Sequence, residues 1–110
     1  MPDTPIPAAE LAHAAAALRR LARAAATDRP PPWYPDIAGT VICPRPDGHE
    51  YVTGYTTPTG TAIAEYIAAV DPRLGEAVAD WLAYEAEAAA HHRGATVHAL
   101  AVARCLGGHL

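Results

Sequence analysis

The sequence predicts an α+β fold, mainly helical: an N-terminal helix, a β-hairpin, then two or three C-terminal helices in the order α–β–β–α–α–α. Three observations predict it. Leucine and alanine recur at helical spacing early in the chain. A β-branched and aromatic stretch, split by a proline–glycine turn signal, follows. After Thr59 the apolar residues return to three- and four-residue spacing. A chain of 110 residues suits a single domain, 1–110, with one modest core.

The first helix is expected over residues 7–27. Pro7 suits the first helical position, where its missing N–H costs nothing. Leu11, Ala14, Leu18, Leu21 and Ala25 define one apolar face, and no β-branched residue interrupts the run. Glu10 in the first turn and Arg19, Arg20 and Arg23 late match the helix dipole. A proline-rich linker, 28–37, ends the helix. Pro30, Pro31 and Pro32 cannot continue it and favour an extended path. Trp33 is expected to anchor this linker onto the core.

The β-hairpin is expected over 38–57. Its strands are Thr40 to Cys43 and His49 to Thr57, joined by a turn from Pro44 to Gly48. Proline presets φ there, and Asp47–Gly48 tolerates left-handed conformations. A lone hairpin is marginal, so helices must cover one face.

The helical region spans 59–106. Thr59 or Thr61 caps a helix carrying Ile63, Tyr66, Ile67 and Val70. Asp71 as N-cap and Pro72 at the first position restart the chain into a helix running to about Arg93, with Gly94 as its stop. A last helix runs from about Thr96 to Leu106. The predicted core is Ile63, Tyr66, Ile67, Val70, Val78, Trp81, Leu82 and Leu100. Truncating a buried Trp81 to alanine would cost about 3–5 kcal/mol.

Composition narrows the function classes. The net charge is −4 and every basic residue is arginine, which disfavours general polyanion binding. No apolar run approaches the ~20 residues of a membrane span, and the N-terminus lacks a signal-peptide pattern. The default compartment is the cytoplasm. Two cysteines, Cys43 and Cys105, are too few for a disulfide framework, and both are expected reduced and unlinked. Lys, Asn, Gln, Ser and Phe are absent, and alanine fills about a quarter of the positions. That bias points to a GC-rich genome, such as that of an actinobacterium or one of its phages.

Three stretches carry a resemblance. TDRPPPW, from Thr27 to Trp33, resembles a TPGPW-like linker. AIAEYIAAVDPRLGEAVADWL, from Ala62 to Leu82, resembles the A-x-YIA-x-x-P…LALADWL signature of small actinobacterial and actinophage proteins. ALAVARCLGG, from Ala99 to Gly108, resembles their closing helix. A more distant similarity is to early-region accessory proteins of lambda-type phages. The resemblance covers about half of the chain and implies a small accessory protein, with no catalytic residues to carry over. The hairpin has no counterpart in it, and Arg29 with its three prolines replaces the glycine-containing linker.

Candidate sites follow from residue type and spacing. His91, His92, His98, Cys105 and His109 cluster towards the C-terminus, but their spacing is looser than that of paired zinc ligands, so no metal is expected. Cys43 is placed to face His49, yet an apolar strand gives its thiol no reason to ionise. Serine is absent, which removes serine nucleophiles. Asp47, Glu50, Glu65, Asp71, Asp80, Glu85 and Glu87 are spread over turns, caps and faces without forming an acid–base pair. Thr57 to Thr61 lacks the spacing and lysine of a phosphate loop. No catalytic residue and no cofactor is therefore expected. Arg19, Arg20 and Arg23, with Arg29 and Arg93, offer a nucleic-acid reading, but such arginines more often form a solvated helix face. The tyrosines around Gly54 offer a stacking surface, with packing against helices the stronger expectation. The preferred function is a non-enzymatic accessory or regulatory protein acting through protein–protein association, as a homodimer or with another protein. Its expected interface is Leu11, Leu18 and Leu21, a narrow seam suited to helix pairing. The alternatives are a nucleic-acid-binding regulator using the arginine helix and a metal-stabilised module using the C-terminal His and Cys.

Overall fold

The computed structural model describes residues 6–36, 39–53, 61–91 and 97–107. The fold is α+β and mainly helical. Its elements are α1 (Ile6–Asp28), β1 (Tyr34–Pro35), β2 (Val41–Arg45), β3 (Gly48–Tyr51), α2 (Thr61–Ala69), α3 (Pro72–Ala90) and α4 (Val97–Gly107). The contacts gather into two compact units, Met1–Leu21 with Glu76–Leu110 and Ala22–Gly75. The division falls inside α1 and near the start of α3, so no linker marks it in the sequence.

The first unit is helical. Its core joins Leu11 and Leu82, both fully buried, with Ala8, Ala14, Ala15, Ala86, Ala89, Ala99 and Ala103. Val78, Leu100 and Leu106 pack against that core from partly buried positions. Alanine is the best helix former and also the smallest apolar side chain with a Cβ, so one residue type supports both the helices and their close packing. Two cross-helix ion pairs lie outside this core. Arg19 Nη2 donates to Asp80 Oδ1 at 2.8 Å, and Arg104 Nε donates to Glu10 Oε2 at 2.8 Å. Glu10 is therefore not a first-turn partner of the α1 dipole. The helix starts one residue earlier than expected, which leaves Glu10 just past its first turn, and Arg19, Arg20 and Arg23 all precede its last turn.

The second unit holds a three-stranded antiparallel sheet in the order β1–β2–β3. The hairpin expected from the sequence forms, but its turn is tighter. Arg45 pairs with Gly48, leaving only Pro46 and Asp47 between the strands. Val52 N–H donates to Val41 O at 2.7 Å, so by antiparallel alternation Cys43–Glu50 and Arg45–Gly48 are the bonded pairs. Pro44 falls between them with its ring nitrogen turned away from β3, on a side where β1 has already ended, so β2 tolerates it. Gly48 takes φ +152° in open space, a requirement of backbone conformation rather than of room. Tyr34–Pro35, read from the sequence as linker, pairs with Ile42 and Val41 as a third strand. The predicted strand residues 54–57, the cap Thr59, and the residues at 92–96 lie outside the described residues.

On α2 the predicted core face is corrected. Ala64 and Ala68 are the buried residues, packed with Val41 and flanked by Trp33, Val52 and Ile67. Ile63, Tyr66 and Val70 are exposed by 55%, 68% and 42%. The small face turns inward because α2 lies on β1 and β2, where alanine lets the backbones approach. In the first unit Trp81 is 37% exposed rather than core, and the buried member of its predicted stripe is Leu82.

Candidate functional site

The start of α3 is the most densely bonded polar site. Asp71 caps the helix as expected. Its Oδ1 accepts from Arg73 N–H at 2.9 Å, and its carbonyl accepts from Leu74 N–H at 3.0 Å. Its Oδ2 accepts from Arg73 Nη2 at 2.8 Å and from Trp33 N–H at 3.3 Å. Burial pushes the Asp71 carboxyl upward, but hydrogen bonds from the Arg73 side chain and from the Arg73 and Trp33 amides outweigh it. The carboxyl lies below its ordinary range. Every contact is local or holds the chain in place, so the site is a cap and latch rather than a reactive centre.

The proline-rich segment is tied down on several sides. Trp33 Nε1 donates to Arg29 O at 2.7 Å, and Cys43 Sγ lies 3.0 Å from Pro30 O. Arg29 Nε donates to Tyr51 O at 3.0 Å, and its Nη1 lies 3.2 Å from Glu50 Oε2. Glu50 also meets Arg45 Nε at 2.8 Å. Trp33 thus anchors the segment onto the sheet, as its size and position suggested.

The leucine seam is divided. Leu11 is fully buried in the first unit's own core and cannot meet another chain there without unfolding that core. Leu18 is partly buried and Leu21 is 46% exposed. The expected interface is corrected to that extent. Helical spacing identified the face but not what covers it.

The arginines are largely engaged. Arg19 pairs with Asp80 and Arg29 with Asp28 and Glu50, while Arg20 is exposed. Arg93 lies outside the described residues. Cys43 is buried and Cys105 exposed, and both are free thiols. His91 meets Glu87 at 3.1 Å along one helix face, and His98 is exposed on α4. His92 and His109 lie outside the described residues. Among the described residues no three His, Cys, Asp or Glu side chains gather as metal ligands. An open groove of about 300 Å³ runs along alanines of α1 and α3, with Arg19 and Glu87 its charged lining residues. Both are already paired, with Asp80 and His91. A second groove, of about 220 Å³, is lined by Glu10, His13, Ala14, Ala103 and Arg104. The Arg104 hydrogen bond holds the Glu10 carboxyl below its ordinary range and the guanidinium correspondingly higher. Neither groove brings a nucleophile to a base.

Large apolar side chains are exposed along α3, at Leu74, Trp81 and Tyr84, and along the outer face of α2. Successive residues turn about 100° round a helix, so Ile63 and Tyr66 share one stripe, which Val70, the residue after the helix, continues with its N–H bonded to Tyr66 O. Glu65, the helix's one charged residue, lies well round from it. Sequence reasoning found these residues but placed them inside, because size and hydropathy rank them above alanine. No helix among the described residues is long and apolar enough to cross a membrane. No protein-family model, curated protein or solved structure matches this chain.

Proposed function

We propose that this protein is a non-enzymatic accessory protein that acts by association with another protein chain, through the outer face of α2. The observation that carries the reading is the inverted burial of that helix, with Ala64 and Ala68 inside and Ile63, Tyr66 and Val70 outside. Large apolar side chains grouped on one exposed face mark interaction surfaces more than isolated ones do. Tyrosine is also enriched where protein surfaces meet. The engaged arginines and the lack of a paired acid and base among the described residues favour this reading over chemistry or polyanion binding.

A photo-crosslinking amino acid in place of Tyr66 tests it in cells that make the protein natively. Irradiation is expected to give a covalent adduct with a protein chain, whereas the same probe in place of Asp47, in the hairpin turn, gives none. Recovery of the uncrosslinked chain only, from the Tyr66 probe, would refute the reading.

A further inference from the structure

We infer that Arg29 closes the outer edge of β3, so that the sheet does not grow by taking a strand from a second copy of the chain. The device lies wholly within the second unit and is independent of the α2 reading.

A strand at the edge of a sheet presents a row of N–H and C=O groups that another extended chain can pair with. This sheet has two such edges. The β1 edge is two residues long and ends in Pro35, which has no N–H to offer, and α2 packs against it. Among the described residues no strand lies beyond β3. Cys43–Glu50 and Arg45–Gly48 are the bonded pairs, so the backbone groups of His49 and Tyr51 point away from β2, along that outer edge.

Arg29 meets the edge there. Its Nε donates to Tyr51 O at 3.0 Å, where an added strand would bring an N–H. Its Nη1 lies 3.2 Å from Glu50 Oε2 and 3.2 Å from Asp28 Oδ1, and it donates to Asp28 O at 2.9 Å. The backbone of Arg29 is held as well. Its N–H donates to Ala25 O at 2.8 Å, and its carbonyl accepts from Trp33 Nε1 at 2.7 Å. The guanidinium is therefore fixed at both ends. An incoming strand must displace it from several acceptors and gains at Tyr51 O only the bond that Arg29 gives up. A charged side chain on an edge is a general means of keeping sheets from pairing. A second copy is the chain to be excluded, because it presents the same edge, and two identical edges pair antiparallel about a two-fold axis.

Three variants test this against wild type. Arg29→Ala opens the edge, and Arg29→Lys keeps a charged donor on it. Arg29→Ala with His49→Pro removes an outward N–H while sparing both bonded pairs. Sedimentation velocity and thioflavin binding across a concentration series read all of them. Arg29→Ala is expected to form dye-binding assemblies at a concentration at least about tenfold below wild type, the scale of one charge-assisted hydrogen bond. Arg29→Lys is expected to follow wild type, and the added His49→Pro to restore wild-type behaviour. Leu82→Ala, in the core of the other unit, controls for lost stability and is expected to bind no dye. An Arg29→Ala variant that sediments as wild type at every concentration overturns the inference. So does assembly that His49→Pro leaves in place, or that Leu82→Ala reproduces.

Discussion

Replacing Asp71 with alanine isolates the polar latch at the start of α3. Three contributions go with the carboxylate. Loss of the N-cap costs about 0.5–2 kcal/mol. The Trp33 amide, half-buried and 3.3 Å from Oδ2, loses its acceptor, at the lower end of about 1–3 kcal/mol because that bond is long. The ion pair adds little, since Arg73 is 65% exposed and returns to water when freed. Together these predict a loss of about 2–3 kcal/mol, a large part of the 5–15 kcal/mol typical of a folded chain. Asp71→Asn keeps one oxygen for the cap but sets its NH2 against the Trp33 N–H, so it is expected to lose less than Asp71→Ala while still losing the Trp33 bond. Urea melts followed by helical circular dichroism measure both variants. The pH dependence has a fixed sign. The folded carboxyl lies below its unfolded value of about 3.9, so its stabilisation is fully present above that value. It is lost as pH falls through the lower folded value. The difference between wild type and Asp71→Asn should therefore hold from neutral pH to about pH 5 and close in stronger acid. An Asp71→Ala variant within about 0.5 kcal/mol of wild type at neutral pH would refute the reasoning, because that is the scatter of an indifferent surface change. A gap that widens on acidification would refute it as well.

Other outcomes follow from burial. Leu82→Ala should cost about 2–5 kcal/mol in the same melts, as a fully buried leucine in the first unit's core. Trp81→Ala should cost less than that, because Trp81 is 37% exposed, and equal losses at the two positions would contradict the arrangement. A thiol reagent should modify Cys105 at once and Cys43 only on unfolding, read as two separated steps of absorbance. At physiological salt the protein should pass through a DNA column unretained, since Arg19 and Arg29 already meet carboxylates; salt-dependent retention would restore the nucleic-acid reading.

The parts of the fold legible in the sequence are those set by backbone chemistry. Asp71–Pro72 can do little but stop one helix and cap the next, and it does so. The proline–glycine run between two β-branched stretches can do little but turn. Trp33 beside three prolines had to find cover, and the sheet supplies it. Illegible were choices between two apolar surfaces. In α2 both faces are apolar, one large and one small, and hydropathy ranks the large one first. The distance at which the helix must lie over β1 and β2 decides otherwise. The same limit hid β1, since Tyr34–Pro35 becomes a strand only because β2 is there to pair with it. Leu11 and Leu21 repeat at one spacing on one helix, yet one is sealed in a core and the other is not. Periodicity reports a face, and only the neighbouring elements say where it ends.

Alanine connects the fold to the function. A composition biased towards alanine has two origins that a sequence cannot separate, a GC-rich genome and a structural need. Burial separates them residue by residue. Ala8, Ala14, Ala15, Ala86, Ala89, Ala99 and Ala103 fill the helical core, and Ala64 and Ala68 face the sheet. Ala9, Ala12, Ala16 and Ala90 lie exposed, where composition alone accounts for them. A core built from the smallest side chains leaves few places inside for large ones. Ile63, Tyr66, Trp81 and Tyr84 are accordingly outside, where each exposes apolar surface to water unless another chain covers it. In a chain packed this way, large exposed apolar residues are the expected complement of an alanine interior. Scattered singly they need no further cause. Their alignment on α2, on a stripe that carries no charge, is the observation on which the proposed association rests.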